Sequence, residues 1–407
     1  MKSFRRISAF VAVLIPLLLS NSVCFADNAG RPGISAGMAW CKVDDPDGLA
    51  KLFIDKYGHQ SYYLKLAYST HPGGKYDVYN EILNYPVFGV GLSYDKYSSL
   101  GFTNNSRLGD FVNVFGFMEG AFYKNKVLSL GYNLAFGLGA TGEYYDPYRN
   151  PDNYLVGAPL SVYMSFGPQI KVRPSEHTEV VLNGSWFHHS TGNMSQPNYG
   201  LNDFMAGVDL RYNLDAPYTQ QVRRLGIAHP FPRGFRFDVY VTGGFHACKT
   251  EFKAYNINVE DPDKKLARIP ARPRVGVAMD AVYRYCQLCS TGLTMDFGYH
   301  WDSAMLRSSD TVIYGSKAVK EGSGYSPFNW ALGFIHEFHY GNFAAFCGCS
   351  RYLFRKVGIH ENQARFFQRA GMRFYFPRLS NTFLGMCIRA TKFNNADFFE
   401  FQMGIRI

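Results

Sequence analysis

Along most of this chain, apolar residues alternate with small or polar ones. Leu128, Leu130, Tyr132, Leu134, Phe136 and Leu138 interleave with Ser129, Gly131, Asn133, Ala135 and Gly137. Phe235, Phe237, Val239, Val241 and Phe245 interleave with Arg236, Asp238, Tyr240, Thr242 and His246, and Val275, Val277, Met279, Ala281 and Tyr283 follow the same rule. At the end of the chain Phe399, Phe401, Met403, Ile405 and Ile407 alternate with Glu400, Gln402, Gly404 and Arg406. A period of two places one set on one face of a strand. Alternating segments of about ten residues are the pattern of a membrane barrel, whereas strands of soluble sandwiches usually run about 5–6 residues.

The pattern predicts strands over 60–69, 86–97, 109–122, 127–138, 159–172, 178–190, 202–213, 234–247, 273–286, 290–302, 327–339, 341–349, 371–377, 381–391 and 397–407. Beyond the first 26 residues no stretch approaches the roughly 20 consecutive apolar residues of a membrane-spanning helix. The expected fold is all-β: a transmembrane antiparallel up-and-down β-barrel of roughly 12–16 strands, even in number so that it closes. Residues 214–233, with three prolines and Arg223-Arg224, read as a long loop inside one barrel rather than as a linker.

Residues 1–26 read as a cleaved signal peptide. Lys2, Arg5 and Arg6 open it, Ile7 to Ser20 supply an apolar stretch interrupted by Pro16, and Cys24-Phe25-Ala26 offers a small-x-small cleavage site. The mature chain, 27–407, is then a single exported barrel bound for a bacterial outer membrane. Three of the 42 Lys+Arg leave with the peptide, so 39 face 32 Asp+Glu, a net charge of +7. That balance suits an anionic lipid surface and equally a soluble basic protein; no nucleic-acid partner is expected, and the oligomeric state stays open. Cys41, Cys248, Cys286, Cys289, Cys347, Cys349 and Cys387 remain, an odd number that precludes complete internal pairing. Cys286-x-x-Cys289 and Cys347-x-Cys349 lack a second pair or histidines at zinc-site spacing, so they read as strand residues, with room for a local disulfide, and no metal is expected.

The segment with chemistry in it is Trp186-Phe187-His188-His189-Ser190-Thr191-Gly192-Asn193, followed by Pro197-Asn198-Tyr199-Gly200-Leu201-Asn202. On a strand His188 and Ser190 share a face, where an imidazole can serve a hydroxyl as general base. Residues 191–201 make a hairpin loop, and the returning strand sets Asn202 beside His188, the third role of a triad. Val180, Leu182 and Trp186 share the phase of His188 and Ser190, and Phe204, Val208 and Leu210 share that of Asn202. The apolar set should meet lipid, so these three polar groups should point at the outer wall. The spacing is also met by polar residues at a strand end touching headgroups.

The same segment resembles the lipid A deacylase (acyloxyacyl hydrolase) barrels, in the longer Bacteroidetes-like version. Those carry His-x-Ser-Asn-Gly or His-x-Ser-Asn-Ala and then Pro-Asn-x-Gly. Leu83-Asn84-Tyr85-Pro86-Val87-Phe88-Gly89-Val90-Gly91 and Tyr145-Asp146-Pro147-Tyr148-Arg149-Asn150-Pro151 are similar to further segments of that version, so the resemblance covers roughly residues 80–213. It implies Ser190 as nucleophile, His188 as base and, twelve residues past the serine, Asn202 as the third member. Thr191 stands where the family usually has asparagine at the oxyanion site, and Gly192 can offer an N–H there.

The resemblance implies an outer-membrane serine esterase that removes an ester-linked acyl chain from lipid A without a cofactor. Asn202, where the best-known deacylases have glutamate, is also similar to the His-Ser-Asn set of outer-membrane phospholipase A enzymes, which would bring in calcium. Thr191 leaves a further alternative, a channel, adhesin or scaffold with a lapsed site.

Overall fold

The structure, a computed structural model, describes residues 30–72, 77–215, 231–256, 264, 269–363, 365–392 and 395–407. The expected signal peptide and most of the expected loop at 214–233 lie outside the described residues. Among the described residues no helix is long and apolar enough to cross a membrane, and the sheets are antiparallel throughout.

The chain divides into two compact units. The first is a closed barrel of eight strands: β1 (Gly30–Asp44), β3 (Gly58–Thr70), β4 (Val87–Lys96), β6 (Phe111–Lys124), β7 (Leu128–Thr141), β8 (Leu160–Val172), β9 (Thr178–Ser190) and β10 (Leu201–Asn213). Two short strands, β2 (Ile54–Lys56) and β5 (Gly101–Phe102), pair with each other in its loops, and a short helix α1 (Asp77–Ile82) precedes β4. Closure falls to β1, which pairs with β3 on one side and β10 on the other, Ala36 lying opposite both Leu64 and Leu210.

Alternation divides this barrel into an apolar outside and a polar inside. Ile34, Met38, Trp40, Leu64, Leu182 and Leu210 are exposed, while Ser61, Asp95, Asn113, Glu119, Asp209 and Arg211 are buried. Charges enclosed by a sheet must be paired. Arg211 grips Glu119 with two 2.8 Å hydrogen bonds, Lys171 adds a third at 2.7 Å, and Lys65 meets Asp209 at 2.8 Å. Tyr63, Phe115, Phe117, Tyr163 and Phe187 fill the remaining interior, as eight-stranded barrels are filled by side chains rather than hollow.

The second unit holds another closed barrel: β11 (Gly234–His246), β12 (Arg272–Arg284), β13 (Cys289–His300), β14 (Tyr325–Tyr340), β15 (Phe343–Val357), β16 (Phe366–Phe376), β17 (Thr382–Thr391) and β18 (Asn395–Arg406). Helices α2 (Lys249–Asn256) and α3 (Ser303–Glu321), the latter kinked at Gly315, lie in its long loops. Here β11 pairs with both β12 and β18. Phe237, Val241, Val277, Phe334 and Met403 are exposed outside. Inside, Arg406 joins Asp238 to Glu337, and Arg389 joins Asp296 to Glu400, with bonds of 2.6–3.0 Å. Residues 145–158 and 190–199 belong to this unit. Tyr145 sits in one apolar cluster with Ala247, Phe252 and Ile269, and Tyr154 packs against it.

An apolar belt around an interior of paired charges is the construction of a membrane-spanning barrel. The expected single barrel over 27–407 is corrected to two. Each predicted strand is present, but β1 was not predicted. Without it the first set has seven strands, an odd number that cannot close by itself as an antiparallel barrel, so the fifteen predicted strands gave no sign of two closed sets. The single-barrel expectation therefore failed at one strand, whose outward residues alternate with glycine, alanine and serine and give a weak signal. Among the described residues all seven cysteines are free thiols, so the local disulfide is absent.

Candidate active site

β9 carries the phase expected of it. Its burial alternates from Thr178 to Ser190, with Asn183, Ser185, Phe187 and His189 buried and Leu182, Trp186, His188 and Ser190 on the other face. His189 points inward, its Nε2 2.8 Å from Asn113 Oδ1 and its ring against Phe111 and Tyr163. The boundary between the two units crosses β9 between His189 and Ser190.

In the first unit, the β9–β10 register sets Asn202 directly opposite His188. His188 Nδ1 lies 2.6 Å from Asn202 Oδ1. An amide oxygen only accepts, so Nδ1–H donates this bond and Nε2 keeps the lone pair a base requires. Trp186, two residues earlier on the same face, lies parallel to the imidazole with 5.5 Å between centroids. Gly200 closes the other side with φ +83°, and a Cβ there would come within 2.6 Å of His188 Cε1. The ring is thus held by one hydrogen bond, one stacked ring and one position that only glycine suits.

In the second unit, Ser190 Oγ accepts hydrogen bonds from Asn198 Nδ2 at 3.0 Å and from the Gly192 N–H at 3.1 Å. Thr191 N–H donates to Asn198 Oδ1 at 3.1 Å. The expected oxyanion donors were Thr191 and Gly192. Gly192 does face the serine oxygen, but Thr191 uses its N–H to orient Asn198, and the Asn198 amide supplies the second donor.

Asn198 and Gly200 were not assigned roles from the sequence. Their signal was the Pro197-Asn198-Tyr199-Gly200 motif itself, which pairs an amide with a residue able to hold a positive φ. Among the described residues no group of three or more His, Cys, Asp or Glu is placed to hold a metal ion.

Residues 235–407 match the family model described as "Acyloxyacyl hydrolase, C-terminal domain". That match falls on the second barrel, not on the 80–213 region that carries the motif resemblance. No curated protein matches the chain. The chain is similar to the solved outer membrane enzyme PagL at 12% identity and TM-score 0.28, over 43% of this chain and 97% of that one. It is similar to a mutant Rh. blastica porin at 9% identity and TM-score 0.16, over 93% and 99% of the two chains. Pseudomonas aeruginosa OpdQ matches at 8% identity and TM-score 0.21, over 93% and 97%.

Proposed function

We propose that this protein is an exported outer-membrane serine esterase that removes an ester-linked acyl chain from lipid A. The observation that carries the reading is the outward facing of His188, Ser190 and Asn202 from an apolar wall, where a lipid ester and not a soluble one would arrive. Ser190 Oγ attacks the acyl carbonyl as its proton passes to His188 Nε2. The tetrahedral oxyanion takes the hydrogen bonds that Asn198 Nδ2 and the Gly192 N–H now give to Oγ. Protonated His188 returns its proton to the departing sugar or hydroxyacyl oxygen, leaving an acyl-serine. Water then attacks the acyl carbonyl, gives its proton to the same imidazole and releases the fatty acid.

Asn202 orients the ring and fixes its tautomer, as a carboxylate would, but offers no negative charge to the imidazolium. That observation favours a second reading, a phospholipase of the same triad type, in which bound calcium would stabilise the negative oxyanion. Mass spectrometry of lipid A from cells with and without the protein tests the first reading. Loss of one ester-linked acyl chain is expected only with Ser190 intact. Unchanged lipid A beside calcium-dependent release of fatty acid from phospholipid would replace it with the second, and no hydrolysis of either lipid would leave a non-enzymatic barrel.

A further inference from the structure

Strands β17 and β18 belong to the second barrel, and so does the loop of residues 190–199 by its contacts. We infer that this barrel serves the esterase by holding the Ser190 loop in shape, with Asn193 as the positioning residue that keeps the Gly192 N–H aimed at the oxyanion. The inference rests on the esterase reading and goes beyond it by assigning a task to the domain that the family model matches.

Three observations within this unit converge. First, Gly192 and Asn193 are consecutive left-handed residues, with φ +58° and +63°. Glycine and asparagine are the residues that enter this region most readily, so the pair suits the turn, and its contacts fix the direction in which the turn points. Second, the surroundings are on β17 and β18. A Cβ on Gly192 would meet Phe399 Cβ at 3.2 Å and Ile388 Cδ1 at 3.3 Å. Phe399 shares the outward phase of Phe401, yet it is 8% exposed where Phe401 is 52% exposed, because the loop covers it. Lipid was the expected neighbour of Phe399, and the loop has taken its place.

Third, Asn193 ties the loop down by hydrogen bonds to two parts of the barrel. Its Nδ2 donates to Ala396 O of β18 at 2.5 Å, and its own carbonyl accepts the Ala247 N–H at 2.7 Å, just past β11. Gln196 Nε2 donates to the remaining Asn193 Oδ1 at 2.7 Å, so the side-chain amide is engaged on both atoms. None of these atoms reaches the reacting ester. What they set is the direction of the Gly192 N–H, which lies 3.1 Å from Ser190 Oγ. A donor displaced from an oxyanion costs rate at the stage where charge develops and leaves ground-state binding nearly unchanged.

The test uses the full chain in detergent micelles. Asn193→Gly keeps the left-handed backbone and deletes the side-chain bonds to Ala396 and from Gln196, and Phe399→Leu loosens the packing of the loop on β18. Each should lower kcat about tenfold at constant KM and slow organophosphonate labelling of Ser190 by the same factor. Phe401→Leu makes the same change at a lipid-facing position and should leave both unchanged. Heat-modifiable gel mobility identifies the folded fraction against which every rate is taken. Ser190-dependent turnover within twofold of the parent in both Asn193→Gly and Phe399→Leu overturns the positioning role while the esterase stands. A parent protein that neither hydrolyses lipid nor labels at Ser190 overturns both.

Discussion

A serine, a histidine and a side-chain oxygen lie on adjacent strands in two places in this chain, β9–β10 and β13–β14, and the two sets differ in where they face. On β9 and β10, His188 and Asn202 lie on the outer face, and Ser190, the last residue of β9, keeps the same phase. In the second, Ser290 Oγ is 2.6 Å from His339 Nε2, and Glu337 Oε2 is 3.4 Å from the same nitrogen. By hydrogen bonding the second set is the better nucleophile–base pair. By position it is sealed, since Ser290 and Glu337 are 0% exposed inside the barrel. Its carboxylate also competes for the nitrogen that bonds the serine, whereas Asn202 holds His188 from the opposite ring nitrogen and leaves Nε2 for the hydroxyl. Residue types and short distances do not make this kind of site. Strand phase decides whether a lipid ester can reach it, and the choice of ring nitrogen decides whether the base is available.

The comparison can be broken most directly at the serines. Ser190→Ala and His188→Ala should each reduce ester hydrolysis at least about a thousandfold with the barrel still folded; retention of activity in either would place the site elsewhere. His189→Ala should not share that loss, because its ring faces inward. Next comes the interior of the first barrel. Glu119→Ala strands Arg211 and Lys171 without their carboxylate, and should cost about 3–5 kcal/mol in denaturant unfolding. An unfolding midpoint equal to the parent's would show that water or lipid reaches an interior described here as closed.

Asn202 tests orientation without charge. Asn202→Ala should lower kcat about ten- to a hundredfold with KM little changed. Asn202→Glu should retain or raise activity, since a carboxylate both orients the ring and offsets imidazolium charge. Full activity per folded barrel in the alanine variant would reduce the set to a Ser190–His188 dyad. The smallest effect is expected in the second barrel: Ser290→Ala should leave hydrolysis per folded molecule unchanged and cost about 1 kcal/mol for one buried hydrogen bond. A fall in kcat there would mean that the sealed pair takes part after all.

Much of this arrangement was legible in the chain. Every strand predicted from alternation is present, and the even phase of Trp186, His188 and Ser190 matches the outer wall. The offset of Asn202 from the serine also led to its register partner, because a tight hairpin leaves little freedom in which residues oppose each other. Three things were not legible. β1 escaped because Gly37, Ala39 and the other small residues dilute its alternation. The donor role of Asn198 depends on how the loop folds back, and nothing in Pro-Asn-x-Gly specifies where the amide points. Phe399 was placed at lipid by its phase, correctly for its strand, but phase carries no information about what covers a face.

Alternation, by itself, determined that this chain forms long antiparallel strands with one apolar and one polar face, because side-chain direction along a strand follows from covalent geometry alone. It determined for the same reason that His188 and Ser190 look outward and His189 inward. Only the tertiary structure decided that sixteen strands close as two barrels and not one. The choice of β1 rather than β11 as partner for β10 is a pairing between distant segments, and a strand edge offers the same backbone groups to any partner. Only the tertiary structure, likewise, put the Gly192 N–H and the Asn198 amide on the serine oxygen, since a loop's shape depends on what it packs against, and here that is Phe399 and the Ala396 carbonyl.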